Sequence, residues 1–183
     1  MDTFYEPLLQ METFAQIEEA LKKDEGLTLV TGCVDSQKTH LMYGLGREWP
    51  VKLILTYSEL KAKEIFEEYQ SLNEDVFYYP PKDFLFFHAD IQGNELLRQR
   101  VMAVSRLLEK GEAVIVTTLD GCMDPLLPLE KLRSYVMTIG VGSVLETEAM
   151  KLRLVQMGYE RVGQVEMPGQ FAIRGGIIDI YPL

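Results

Sequence analysis

Leu27-Thr28-Leu29-Val30-Thr31-Gly32-Cys33-Val34-Asp35-Ser36-Gln37-Lys38-Thr39 reads as an apolar strand, a turn and the start of a helix. It has the skeleton of a phosphate-binding loop, which follows a strand, runs G-x-x-x-x-G-K-[ST] and opens a helix. Gly32, Lys38 and Thr39 stand at the required offsets. Gln37 stands where the second glycine belongs, and Asp35 puts a carboxylate beside the place of the anion. A glycine there lets backbone N–H groups converge on phosphate, and a Cβ with a long side chain obstructs them. The spacing predicts a nucleotide-binding scaffold with a degenerate, vestigial loop (Gly32, Asp35, Gln37, Lys38, Thr39) that holds no cofactor. Any strand–turn–helix can contain G-x-x-x-x-x-K-T, so an ordinary turn stays open, and so does an unrelated P-loop enzyme with a variant loop.

Outward from the loop, apolar periodicity alternates between helix and strand. Helices are expected over Phe14–Lys23, with Phe14, Ile17 and Leu21 on one face, and over Lys38–Trp49, weakened by Gly44 and Gly46. A third runs over Glu59–Leu72 behind a Ser58 cap, with Leu60, Ile65, Phe66 and Tyr69 near one face. A fourth runs from an Asn94 cap to Lys110, with Leu97, Val101, Val104 and Leu108 inward and Gly111 as the stop. Strands are expected at Leu27–Thr31, Val51–Tyr57, Val76–Tyr79 and Ala113–Thr118. This order implies an α/β domain, a P-loop-like parallel sheet with helices on both faces. After Pro125 and Pro128 the pattern changes. A strand Ser134–Ile139 and a helix Val144–Met157 closed by Gly158 precede three short strands, Arg161–Val165, Gln170–Arg174 and Gly176–Ile180. The expected division is residues 1–129, then a smaller α+β domain over 130–183. An antiparallel sheet normally continues past a strand such as Ile177–Ile180, so the second domain is expected to be truncated within a longer protein.

The chain is 47% hydrophobic, enough for a sizeable core. No run approaches the ~18 apolar residues of a membrane span. Met1-Asp2-Thr3-Phe4-Tyr5-Glu6 lacks the basic and apolar regions of a signal peptide. Cys33 and Cys122 form no C-x-x-C pair, and His40 and His88 are the only histidines, so no metal site is expected. These features predict a cytoplasmic protein without a membrane partner. The net charge is −10. Residues 130–183 carry equal numbers of acidic and basic side chains, so the whole excess lies in 1–129. Tight nucleic-acid binding neutralises phosphates with Lys and Arg, and the acidic first segment argues against it.

Three further stretches carry a sharp reading and an ordinary one. Asp120, ending Val114–Asp120, could hold Mg²⁺ as a Walker-B acid, but an Asp before Gly is more often a turn. Gln92–Arg100 could present an arginine patch, but a solvated helix face with Glu95 and Arg98 paired at i,i+3 is the commoner outcome. Tyr78-Tyr79-Pro80-Pro81 with Phe84, Phe86 and Phe87 could stack on bases, but such clusters more often pack a loop onto a core.

The most specific stretch is Met167-Pro168-Gly169-Gln170-Phe171-Ala172-Ile173-Arg174-Gly175-Gly176-Ile177-Ile178-Asp179-Ile180-Tyr181-Pro182. It reads as a hairpin with a Gly-Gly turn or bulge, with Phe171 and Ile173 on one face and Ala172 and Arg174 on the other. Arg174 then faces solvent beside a rigid turn, and Arg is enriched among protein-binding hot spots.

This run resembles the second domain of the UvrB excinuclease subunit. It resembles more closely the UvrB-homology module that opens the bacterial transcription-repair coupling factors. Thr138-Ile139-Gly140-Val141-Gly142, Gly158-Tyr159 and Ala113-Val114-Ile115-Val116-Thr117-Thr118 fit both families, and the similarity covers essentially the whole chain. UvrB has an intact G-x-x-G-x-G-K-T loop, where this chain has Asp35 and Gln37 at two of the glycines. UvrB also inserts a long Tyr-rich hairpin, for which Tyr79–Asn94 is too short. It has F-R-V-R where this chain has Phe171-Ala172-Ile173-Arg174, which leaves Arg174 alone to carry a two-Arg contact. The resemblance implies a non-catalytic module that docks UvrA through Arg174, Arg161 and Tyr181, with Glu160 the alternative alignment for Arg161 and a place in the core the alternative for Tyr181. It also implies an autoinhibitory contact with other domains of its own longer chain. That longer protein would be an ATP- and Mg-dependent DNA translocase that displaces stalled RNA polymerase and recruits UvrA for nucleotide excision repair. The alternative is a UvrB-type repair ATPase subunit.

Overall fold

Six consecutive buried residues, Ala113–Thr118, form the central strand of a three-stranded parallel sheet. The computed structural model describes residues 3–23, 26–82, 90–126 and 128–182, and the side chains of 90–94 and 129 fall outside that description. The first strand, β1, is Val51–Thr56 and the second, β2, is Val76–Tyr79. Both pair in parallel with β3, Ala113–Thr118, in the order β1-β3-β2. The chain divides into two compact units, Met1–Tyr79 with Lys110–Leu119, and Pro80–Glu109 with Asp120–Leu183.

In the first unit, short helix α1 (Glu6–Leu9) and helix α2 (Glu12–Lys22) bury Leu8 and Phe14. Helix α3 spans Asp35–Leu45 and tightens into a single 3₁₀ turn, Gly46–Glu48. Gly44, a weak helix former by sequence, has a packing reason. A Cβ there would lie 2.3 Å from Leu8 Cδ1 and 3.0 Å from Phe14 Cε2. Helix α4, Glu59–Gln70, starts where Ser58 Oγ accepts the Lys61 N–H at 3.3 Å. Its buried residues Ala62, Ile65 and Tyr69 form one stripe at helical spacing. That stripe meets Val76, Tyr78, Val114 and Val116 of the sheet and Tyr43 of α3. Tyr43 and Tyr69 pack edge to face with centroids 6.0 Å apart, and burial pushes the Tyr69 hydroxyl up to about 12. Each buried apolar side chain of this size contributes roughly 1.5–3 kcal/mol.

Two expectations for this unit are corrected. Leu27–Thr31 forms no strand, and Leu27 and Leu29 are 95% and 82% exposed. An extended segment becomes a strand only by pairing, and no described strand pairs with it. Helix cover on both sheet faces also fails at β1. Ile54 packs on the α4 core, while Val51, Leu53 and Leu55 on the other face stay about half exposed.

In the second unit, helix α5 spans Asp90–Lys110, so Asn94 lies inside it and is not its cap. Leu97, expected inward, is 45% exposed, whereas Val104 is buried. Gly111 (φ +70°) follows α5 as expected. Arg100 is buried and donates to Pro80 O at 2.6 Å and to Asp124 Oδ2 at 3.0 Å. Glu95 and Arg98 make the expected i,i+3 pair, so no arginine patch forms. Asp120 lies exposed in the first turn of short helix α6, Leu119–Met123, and not at a strand end.

Helix α7 is Leu129–Tyr135, which replaces the start of the strand expected over Ser134–Ile139. The carbonyls of Ser134 and Val136 accept from Arg153 instead of a strand partner. Arg153 belongs to helix α8, Thr147–Gln156, which ends in a Schellman motif. Tyr159 N–H reaches Leu154 O and Gly158 N–H reaches Val155 O, both at 3.0 Å. The second sheet has the order β4-β5-β6, with β4 Glu160–Arg161, β5 Gln170–Arg174 and β6 Ile177–Tyr181. The strand expected to Val165 stops at Arg161, because the amides of Glu166 and Met167 donate to Gln170 Oε1 and hold that stretch as a loop. Met150 and Leu154 of α8 pack on Phe171, with Ile173, Ile178 and Ile180 around them.

Candidate functional site

The sequence-predicted loop residues lie at and before the start of α3, and Asp35, Gln37, Lys38 and Thr39 each have a partner within the chain. Gly32 takes φ +84° before α3. Gln37, in place of the second glycine, turns back so that its Oε1 accepts the Val34 N–H at 3.3 Å. This closes the helix start with a protein group, as the glutamine of a capping box does. Asp35, at the first position of α3, accepts Lys38 Nζ on Oδ1 at 2.8 Å and Lys61 Nζ on Oδ2 at 3.0 Å. The Lys38 and Lys61 bonds hold its carboxyl down at about 2. Lys61 is raised, chiefly by Glu64 and then by Asp35. Thr39, whose hydroxyl would face Mg²⁺ in a working loop, is buried and donates to Glu68 Oε2 at 2.5 Å. Lys61 and Glu68 carry no local signature, because their roles depend on how α4 lies beside α3.

The hairpin is the second candidate. Strands β5 and β6 join through Gly175-Gly176, with Arg174 opposite Ile177. Gly175 alone of the two takes positive φ (+61°), as in a type II′ turn. Phe171 and Ile173 face α8. The other face carries Gln170, Ala172 and Arg174, opposite Tyr181, Asp179 and Ile177. The Arg174 side chain is 63% exposed, as alternation required, and it pairs with Asp179. Tyr181 is 46% exposed and lies on the Arg174 face, not in the core.

Arg161 is not brought to this face. Strand β4 is parallel to β5, with Arg161 opposite Phe171 and Glu160 opposite Gln170. The pleat therefore puts Glu160 on the Arg174 side and Arg161 on the reverse. Sequence reasoning missed Asp179 as a partner of Arg174. Its signal, an acid two residues past the residue opposite Arg174, depends on knowing the two-residue turn.

Asp124 was also missed. Its side chain is 10% exposed, and it binds Arg100 and the Lys82 N–H. Of the aromatic cluster, Tyr78 and Pro80 are buried, while Phe84, Phe86 and Phe87 lie outside the described residues, as does much of the Tyr79–Asn94 segment. Cys33 and Cys122 are unbridged. No described helix is long and apolar enough to cross a membrane, and no metal-ligand cluster occurs among the described residues.

The sequence that folds into this parallel α/β unit and small second sheet matches known proteins. Residues 137–183 match the family model of the UvrB interaction domain. The chain is 32% identical over 187 residues to the transcription-repair-coupling factor of Bacillus subtilis (strain 168), covering 100% of this chain and 16% of that protein. It is 30% identical over 159 residues to the protein of the same name from Staphylococcus aureus (strain USA300), covering 85% of this chain and 14% of that one. The chain thus spans about one-sixth of the length of the curated relatives it matches. Residues 137–183 are a UvrB interaction domain. Over essentially its whole length the chain is homologous to a part of the transcription-repair-coupling factors.

Proposed function

We propose that this chain is the non-catalytic module through which a transcription-repair coupling factor recruits UvrA to nucleotide excision repair. The observation that carries this reading is the outward face of the β5–β6 hairpin. There Arg174 stands exposed on a tight turn inside the UvrB interaction domain. An arginine so placed can make bidentate bonds to a partner carboxylate at little ordering cost. Tyr181 flanks it on the same face. Arg161, on the reverse face, is given a lesser part, and Glu160 takes its place beside the hairpin.

The first unit is read as a P-loop-like domain whose loop no longer serves a nucleotide. The internal partners of Asp35, Gln37, Lys38 and Thr39 support this. In this reading the chain itself uses no cofactor. ATP, Mg²⁺, DNA and RNA polymerase belong to the remainder of a longer cytoplasmic protein, a DNA translocase that displaces stalled polymerase. Other domains of that protein would cover the hairpin until UvrA is needed.

The test is capture of purified UvrA on the immobilised chain, with and without Mg-ATP. Equal capture in both is expected. Arg174→Ala is expected to lose capture with an unchanged melting temperature, since removing a hot-spot arginine costs ~2 kcal/mol or more, about thirtyfold. Unchanged capture by folded Arg174→Ala overturns the reading. Capture that depends on ATP binding to the chain favours a UvrB-type ATPase.

A further inference from the structure

Arg174 does not stand alone on the hairpin. Asp179 sits opposite Ala172, two residues along the partner strand from Ile177, and Arg174 Nη2 reaches diagonally back to its Oδ2. Diagonal neighbours across an antiparallel pair lie about 7–8 Å apart at Cα, within reach of a long side chain. The pair lies on the face away from α8, with the two side chains 63% and 39% exposed. Ala172, in the row between them, is only 1% exposed although it points to this outward face. An exposed ion pair of this kind adds little to stability. Its effect is on conformation, because an arginine otherwise loses much rotamer freedom when a partner fixes it.

We infer that Asp179 is a positioning residue for Arg174. Its carboxylate holds one Nη of the guanidinium along the hairpin, and the remaining N–H donors of the fork stay turned outward. A guanidinium has five such donors in a fixed plane. Ile177 is 63% exposed and Tyr181 46%, and both share the face of Asp179 on β6. The surface offers an oriented fork flanked by two apolar side chains. It fits a partner that presents a carboxylate within an apolar setting. The inference rests on the reading of this hairpin as the UvrA-docking face, and it assigns that docking surface on UvrA an acidic residue ringed by apolar ones.

A double-mutant cycle tests it, with UvrA affinity measured by calorimetry on the 183-residue chain. Asp179→Ala and the isosteric Asp179→Asn are expected to weaken binding roughly three- to tenfold, the cost of ordering one long side chain. Asp179→Glu is expected to recover most of the loss. In the Arg174→Ala background, Asp179→Ala is expected to change nothing further, because there is nothing left to position. Melting temperatures serve as the control, and Asp179→Asn carries the test should the alanine variant fail to fold. Losses that add in the double variant make Asp179 a direct contact and overturn the inference. So does unchanged or tighter binding by Asp179→Ala while Arg174→Ala fails, and in that case the docking reading stands. If Arg174→Ala binds as the parent does, the docking reading itself falls.

Discussion

The Asp35 carboxylate, at the first position of α3, is bound by two lysines. Lys38 takes one of its oxygens and Lys61 the other. Those two bonds hold its pKa at about 2, below the usual 3.8. A depressed carboxyl stabilises the fold above its unfolded value, and that contribution is lost as pH falls from about 4 through about 2. The side chain is 61% exposed, so water and salt screen the pair and the loss of stability is small. Carboxyl NMR is expected to place the Asp35 midpoint near 2 and to move it upward in Lys61→Ala; an ordinary midpoint in the parent would remove the double bridge. Arg100 is the opposite case, with its side chain and that of Asp124 only 7% and 10% exposed. Arg100→Ala leaves a buried carboxylate unpaired, which costs about 3–5 kcal/mol. A urea melt should show a loss of that order, and one under ~1 kcal/mol would mean that Asp124 is solvated when its partner goes.

At the scale of the element, α3 shows propensity yielding to packing. Glycine in a helix interior is worth about 1 kcal/mol less than alanine. Gly44→Ala would therefore stabilise an isolated helix. In the fold its Cβ meets Leu8 and the Phe14 ring at 2.3–3.0 Å, and overpacking of this kind costs typically 1–3 kcal/mol. The variant is expected to be less stable than the parent by calorimetric melting; a gain would show that α1 and α2 yield freely. Helix α4 and strands β2 and β3 were legible in the sequence, because the Ser58 cap, Ile65 and Tyr69 on one face and the apolar run of β3 are local signals, although Leu60, expected on that face, is 71% exposed and buried Ala62 was missed. Residues Ser134–Ile139 were misread, since their alternation imitates a strand while Arg153 takes two of their carbonyls.

For the whole chain, charge sets a limit on partners. With −10 overall and the excess in residues 1–129, DNA phosphates meet repulsion, and contacts beyond ~8 Å are screened at ~150 mM salt. Gel shifts under that condition should show weak binding with no preference for damaged DNA; tight binding to a lesion would contradict this. The α/β order of most elements, the turn after β5 and the outward side of Arg174 can be read from local pattern alone. Each rests on a period of 2 or 3.6 or on residue types at fixed spacing, and such signals need no distant partner. Tertiary packing leaves Leu27–Thr31 without a strand partner among the described residues and bonds Thr39 to Glu68. It likewise decided that Lys61 joins Asp35, that Asp179 takes hold of Arg174 and that Arg161 falls on the reverse face. Each of these depends on which strands pair, in which register, and which helix lies beside which. Those choices are made by long-range contacts, and a local pattern does not encode the residue on the far side of one.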